Sequence, residues 1–171
     1  MGTGFAAVLS EEMGAPVTHV CVDRARAAVP ISATAIRADP SLRRRWLPAP
    51  VRASLVPSIL FLGAESTGKT TLAAALAKQW GEPWAAEYGR ELWVERSGRL
   101  AFEDLLHIGE EQIAREERLA LEAERFLICD TSPLTTLFYS QAMFGKADEQ
   151  LEAMARRNYA LPLPAGHPAG G

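Results

Sequence analysis

Apolar residues along this chain fall into two rhythms. Short uninterrupted runs alternate with longer segments in which apolar positions recur every three or four residues. "PSILFL" is a short apolar run bounded by Pro57 and Gly63, the pattern of a strand buried on both faces. "RFLICD" is a second such run and carries Asp130 at its carboxyl end. "VTHVCVD" (17–23) reads as another strand. The helical rhythm starts in "PISATAIRADP" (30–40), where Ser32 is a ready N-cap and Asp39-Pro40 a stop, so a short helix is expected. "TLAAALAKQW" is rich in helix formers and predicts a helix over 70–80, with Leu72, Leu76 and Trp80 on one face. "EPWAAEYGREL" (82–92) predicts a short strand ending near Glu87, then a helical turn.

Residues 101–125 predict a long helix. Phe102, Leu105, Leu106, Ile113 and Ala120 give it an interrupted apolar stripe, with the glutamates and arginines largely elsewhere. "PLTTLFYSQAMFG" and "DEQLEAMARRNY" predict two further helices. The tail "LPLPAGHPAGG" (161–171) is rich in Pro, Gly and Ala and has no apolar period, so it is expected to be flexible. Strands alternating with helices argue for an α/β fold with a parallel sheet and helical crossovers. In such sheets, ligands bind beyond the carboxyl ends of the strands.

The segment between the first sheet strand and its helix, "LGAESTGKTT" (62–71), fits G-x-x-x-x-G-K-S/T. Gly63 and Gly68 allow backbone conformations that a Cβ would block. The amides from Ala64 through Glu65, Ser66, Thr67 and Gly68 to Lys69 can then turn inward around phosphate oxygens. Lys69 would reach the outer phosphates of a nucleotide, and the Thr70 hydroxyl would hold Mg²⁺. A helix starting there, with Thr71 in its first turn, adds the positive end of its dipole.

Composition narrows the partners. The chain has 171 residues, enough for one ordinary domain or one plus a fragment, and 48% hydrophobic content fits a soluble globular protein. Net charge is −3, and the one basic cluster, Arg43–Arg45, is short, so nucleic acid is not the expected partner. Cys21 and Cys129 sit in apolar runs without metal-ligand spacing, which reads as reduced core thiols of a cytoplasmic protein. No apolar run approaches the length of a membrane span, and the N-terminus has no signal-peptide pattern. His19, His107 and His167 are scattered and suggest neither a metal site nor a nucleophilic triad.

Two acids complete the candidate chemistry. Asp130, after "FLIC", occupies the place of the second acidic element of P-loop enzymes, which binds Mg²⁺ or its water shell; capping the next helix with Thr131 and Ser132 is the alternative. Glu87, at a strand end, is the candidate general base for an acceptor hydroxyl, or else a surface carboxylate. Arg90 either binds a substrate phosphate or ribose, or pairs with Glu87 or Glu91. Trp84, Tyr88 and Trp93 surround Glu87 in sequence and either stack on a planar base or pack in the core.

An ordered set of motifs resembles a known family. "ISATAIR" looks like the ISxTxIR signature of nicotinamide-nucleotide adenylyltransferases, with Ser32, Thr34 and Arg37 at the matching positions. In that family the motif binds ATP phosphates. Followed by "LGAESTGKTTLAAALA", "EYGREL" and "CDTSPLTTLFYSQAMFG", it is similar to the NadR-type proteins, which join an adenylyltransferase to a ribosylnicotinamide kinase. The resemblance covers most of residues 17 to 159.

It implies a P-loop kinase-like parallel sheet with flanking helices over 57–160, preceded over 1–50 by a C-terminal remnant of a Rossmann-like nucleotidyltransferase domain. It implies ATP and Mg²⁺ as cofactors. Lys69, Glu87 and Asp130 would be catalytic, Glu87, Tyr88 and Arg90 would meet the acceptor, and Thr70 and Asp130 would hold the metal. The acceptor would be nicotinamide riboside or a related nucleoside. Two departures matter. The family's histidine-bearing GxFxPxHxGH motif is missing, and "RNY" is followed by the Gly/Pro tail where the family continues with another strand and an arginine-bearing lid. The chain is therefore expected to be a middle section of the family protein, cut at both ends or shifted out of frame near Ala160, with impaired turnover. A nucleotide-binding regulatory module and a P-loop ATPase remain open; a GTPase would need an N-K-x-D motif, which is absent.

Overall fold

The structure, a computed structural model, describes residues 2–20 and 23–164. Cys21 and His167 lie outside the described residues. The chain divides into two compact units, Met1–Trp46 and Leu47–Gly171.

Among its described residues the first unit is helical. It opens with α1 (Gly2–Met13). The strand expected at 17–23 is corrected over 17–20, which have no regular structure; no partner strand lies within the described residues of this unit to supply a ladder. The Asp23 carboxylate accepts from the amides of Ala27, Ala28 and Val29, closing a turn. Then follows α2 (Ala33–Ala38), where Ser32 caps as expected and its Oγ accepts from the Ala35 amide at 3.0 Å. A 3-10 turn (Pro40–Leu42) leads into α3 (Arg43–Trp46).

The second unit begins with α4 (Ala49–Ala53), whose first turn accommodates Pro50, since a proline there removes no intrahelical bond. The main elements are β1 (Ser58–Leu62), α5 (Lys69–Trp80), β2 (Trp84–Ala85), α6 (Tyr88–Glu95), α7 (Phe102–Ala120), β3 (Leu127–Cys129), α8 (Pro133–Phe144), α9 (Glu149–Met154) and β4 (Leu161–Pro164). The four strands form one parallel sheet in the order β2-β3-β1-β4. This is an α/β fold of the P-loop kinase-like kind, with helices flanking a parallel sheet.

Period-two alternation sends β1 side chains to both faces. Ile59, Phe61 and Ile128 pack against Ala73 and Ala77 of α5. Leu60, Leu127, Ala85 and Cys129 form the other face, against Leu119 and Ala120 of α7. A third cluster, Leu92, Leu105, Ile108 and Leu151, joins α6, α7 and α9. Full burial of each large apolar side chain contributes about 1.5–3 kcal/mol. Burial also raises the pKa of the Cys129 thiol.

Four sequence expectations change here. The buried positions of α5 are Ala73 and Ala77, with Leu76 partly buried; Leu72 is 53% exposed and Trp80 is 38% exposed, packing on Phe126. Small residues at the contact let the helix approach the sheet. The stripe of α7 that is fully buried runs through Leu105, Ile108, Gly109, Gln112 and Glu116, so it includes a glutamate. The helix also stops at Ala120 rather than 125, and the Glu82 carboxylate accepts from the amides of Glu124 and Arg125 in the turn that follows. Finally, residues 161–164 of the expected flexible tail form β4, paired with β1 from Ile59↔Leu161 to Leu62↔Pro164. Its prolines are tolerated because β4 lies at the sheet edge. Among the described residues no helix is long and apolar enough to cross a membrane.

Candidate functional site

The parallel sheet brings the carboxyl ends of β1, β2 and β3 to one side. The register pairs Leu60 with Cys129 and Ala85 with Cys129, so the loop after β1, the segment after β2 and Asp130 emerge together. The loop after β1 turns through left-handed conformations at Ser66 (φ 61°) and Gly68 (φ 81°). Open space surrounds the place of a Cβ on Gly68. Backbone conformation, not crowding, is therefore what favours glycine there. Ser66 adopts the same region with a side chain, a local strain of the kind found at binding loops. Thr67 Oγ1 and Lys69 Nζ both donate to the Ala64 carbonyl, at 2.8 and 2.6 Å. Lys69 opens α5, so the free amides of its first turn, at Lys69, Thr70 and Thr71, lie at the loop.

Asp130 is 1% exposed, and neither carboxylate oxygen has a hydrogen-bond partner. Ser132, two residues further on and fully buried, also has an unpartnered hydroxyl. The capping alternative for Asp130 does not hold. Ser132 occupies the N-cap position of α8, and no side chain bonds the cap. A buried carboxylate without donors is costly unless a cation compensates it.

Glu87 stands at the N-cap position of α6. Its side chain is 22% exposed and pairs with Arg90 at 3.3 Å; Arg90 is 67% exposed. Of the two acids open to Arg90, Glu91 is taken by Arg115 through two bonds of 2.7 Å, which lower the pKa of Glu91. The three aromatic residues around Glu87 separate. Trp84 packs against the core and Tyr88 turns toward α7, under Arg115 and bonded to His107 at 3.1 Å. Trp93 lines a cavity. Tyr88, expected to meet an acceptor, has its ring held by α7 and does not line that cavity.

The cavity has a volume of about 700 Å³ and lies within the second unit. Glu65 to Thr71 of the phosphate-type loop line it, as do Glu87 and Arg90. Trp93, Val94, Leu105, Ile108 and Met143 supply an apolar wall. Thr131, Thr135, Thr136 and Tyr139 line it from the end of β3 and from α8. Gly63, Ala64 and Asp130 are not part of its lining. Tyr139 was not singled out from sequence. Its hydroxyl donates to Glu65 Oε1 at 3.0 Å, and burial, followed by Glu65, pushes its pKa up to about 12, so it remains a neutral donor. No sequence window joins residues so far apart; the four-residue steps Thr135-Tyr139-Met143 along α8 were the one available hint. Ser32, Thr34 and Arg37 belong to the first unit, where Ser32 is committed to its cap and Thr34 and Arg37 are exposed.

Comparison with known proteins agrees with this architecture. The profile of a family described as "AAA domain" matches residues 58–163, from β1 into β4. The chain is 28% identical over 156 residues to the trifunctional NAD biosynthesis/regulator protein NadR of Escherichia coli K12, covering 85% of this chain and 38% of the relative. It is 36% identical over 89 residues to the protein of that name from Salmonella typhimurium LT2, covering 48% of this chain and 22% of the relative. The chain thus spans about two fifths or less of the curated relatives it matches. Two crystal structures share the fold. One is a NadR protein in complex with NAD and AMP-PNP, with TM-score 0.68, 22% identity and coverage of 81% of this chain and 42% of that one. The other is a NadR protein in complex with NR, with TM-score 0.67, 24% identity and coverage of 81% and 41%. The chain belongs to the AAA domain family and is a homologue of NadR.

Proposed function

We propose that the second unit is an ATP-dependent small-molecule kinase of NAD biosynthesis, phosphorylating ribosylnicotinamide to nicotinamide mononucleotide. The first unit is then an adenylyltransferase-like segment in which Ser32, Thr34 and Arg37 are the phosphate-binding remnant. The observation that carries the reading is one cavity lined both by the Lys69 loop and by the Glu87–Arg90 pair. In this reading a phosphoryl donor and an acceptor would meet there. Similarity to NadR proteins, one of them solved with AMP-PNP and one with NR, supports the choice of donor and acceptor.

The residues suit Mg²⁺. Asp130 offers two buried oxygens without partners, and Thr70 offers a hydroxyl at the loop. Among the described residues no larger cluster of ligating side chains gathers, as suits an ion that keeps its waters and takes further oxygens from phosphates. When bound, Mg²⁺ would neutralise charge on the donor phosphates. The loop amides and Lys69 bind the β- and γ-phosphates and stabilise the transferring group. Glu87 orients the ribose 5′-hydroxyl and accepts its proton as the new O–P bond forms and the bond to ADP breaks. Arg90 steadies that carboxylate or the ribose.

The test supplies Mg-ATP and nicotinamide riboside and follows both products. Equimolar ADP and nicotinamide mononucleotide are expected. ADP without the mononucleotide would favour an ATPase. Bound nucleotide with neither product would favour a regulatory module.

A further inference from the structure

We propose that Arg115 and Gln112 of α7 clamp the backbone on either side of Glu87, and that Arg115 is a positioning residue for the transfer. The proposal rests on the kinase reading above. Arg115 Nη1 donates to the carbonyl of Ala86, the residue before Glu87, at 3.1 Å. The same guanidinium holds both Glu91 oxygens at 2.7 Å and lies 5.4 Å from the centre of the Tyr88 ring. Gln112 Oε1 accepts from the amide of Tyr88, the residue after Glu87, at 3.0 Å, and Gln112 is fully buried. Peptide groups on both sides of Glu87 are thus tied to one face of one helix.

The segment needs such a holder. β2 is two residues long, so its ladder ends at Ala85, and α6 begins at Tyr88, with Glu87 at its N-cap position and no side-chain cap. The sheet does not reach Glu87, and in the helix's own first turn only Arg90, itself 67% exposed, touches its carboxylate. Arg115 does not line the cavity, so its effect would pass through Glu87. A plain ion pair with Glu91, which is 54% exposed, would contribute little by itself. What separates the clamp from that pair is the carbonyl of Ala86 and the amide of Tyr88.

The test uses Arg115→Met in the full chain, which removes the guanidinium and keeps most of the stem. Two readouts are combined. Hydrogen exchange at the Tyr88 amide should speed up about tenfold, while the amides of β1 and β3 stay as protected as before. In the transfer assay kcat should fall about tenfold with KM for ATP unchanged. In a Glu87→Gln background the same substitution should change kcat less than about twofold, because the two residues act as one unit. Unchanged exchange at Tyr88 overturns the clamp. Equal losses of kcat in both backgrounds overturn positioning through Glu87. A parent chain that makes no nicotinamide mononucleotide removes the kinase reading and with it the catalytic role of Arg115, while the exchange result still decides the clamp.

Discussion

Replacing Lys69 by alanine is expected to weaken Mg-ATP binding by roughly 10–100-fold and to lower turnover by roughly 10²–10³-fold. Lys69 is the first residue of α5 and its ammonium already points back over the loop, 2.6 Å from the Ala64 carbonyl. Bound phosphates would offer the same ammonium a far better acceptor, since an anionic oxygen adds charge–charge attraction that a neutral carbonyl lacks. The fold should survive, because α5 is anchored through Ala73 and Ala77 and not through its first residue. Calorimetry with Mg-ATP, beside a thermal melt of both proteins, separates the two effects. Equal affinities in variant and parent would remove the loop from nucleotide binding; a collapsed melt would show that the side chain matters to the fold instead.

The second large effect concerns stability and depends on pH. Glu116 of α7 is fully buried. Tyr159 donates its hydroxyl to both carboxylate oxygens at 3.1 Å, and Arg157 Nε lies 3.4 Å away. Burial outweighs these partners and pushes the Glu116 pKa from 4.5 up to about 7. The folded chain therefore keeps a proton that the unfolded chain releases. Stability from this group is greatest below pH 4.5, falls as pH rises toward 7 and is flat above it. A shift of that size corresponds to about 3 kcal/mol. In Glu116→Gln the dependence should vanish, so the parent should lose about 3 kcal/mol relative to the variant between the two ends of that window. Glu91, whose bonds to Arg115 lower its pKa, contributes with the opposite sign in both proteins and cancels. Urea unfolding of both proteins across the window measures the difference. A gap that stays constant would mean that Arg157 keeps the carboxylate ionised throughout. The outcome bears on the site, because Tyr159 leads into β4, which pairs with the strand that carries the phosphate-type loop.

Local chemistry was legible in the sequence wherever a few adjacent residues dictate it. The run 58–62 made a strand because unbroken apolar residues need cover on both faces. Lys69 and Gly68 placed the loop and the helix start because the turn demands a glycine and the helix supplies its own amides. Ser32 capped α2 for an equally local reason. Tertiary structure alone decided the rest. Leu161–Pro164 looked like tail because two prolines spoil a ladder, yet an edge strand needs partners on one side only. Glu116 looked like one more surface glutamate of a charged helix until Arg157 and Tyr159, some forty residues further on, closed over it. The Tyr139–Glu65 and Arg115–Ala86 bonds join different elements in the same way. Periodicity within one element reports which side is apolar. It carries no information about which distant donor will face a buried acceptor, because that pairing exists only once the helices are laid on the sheet.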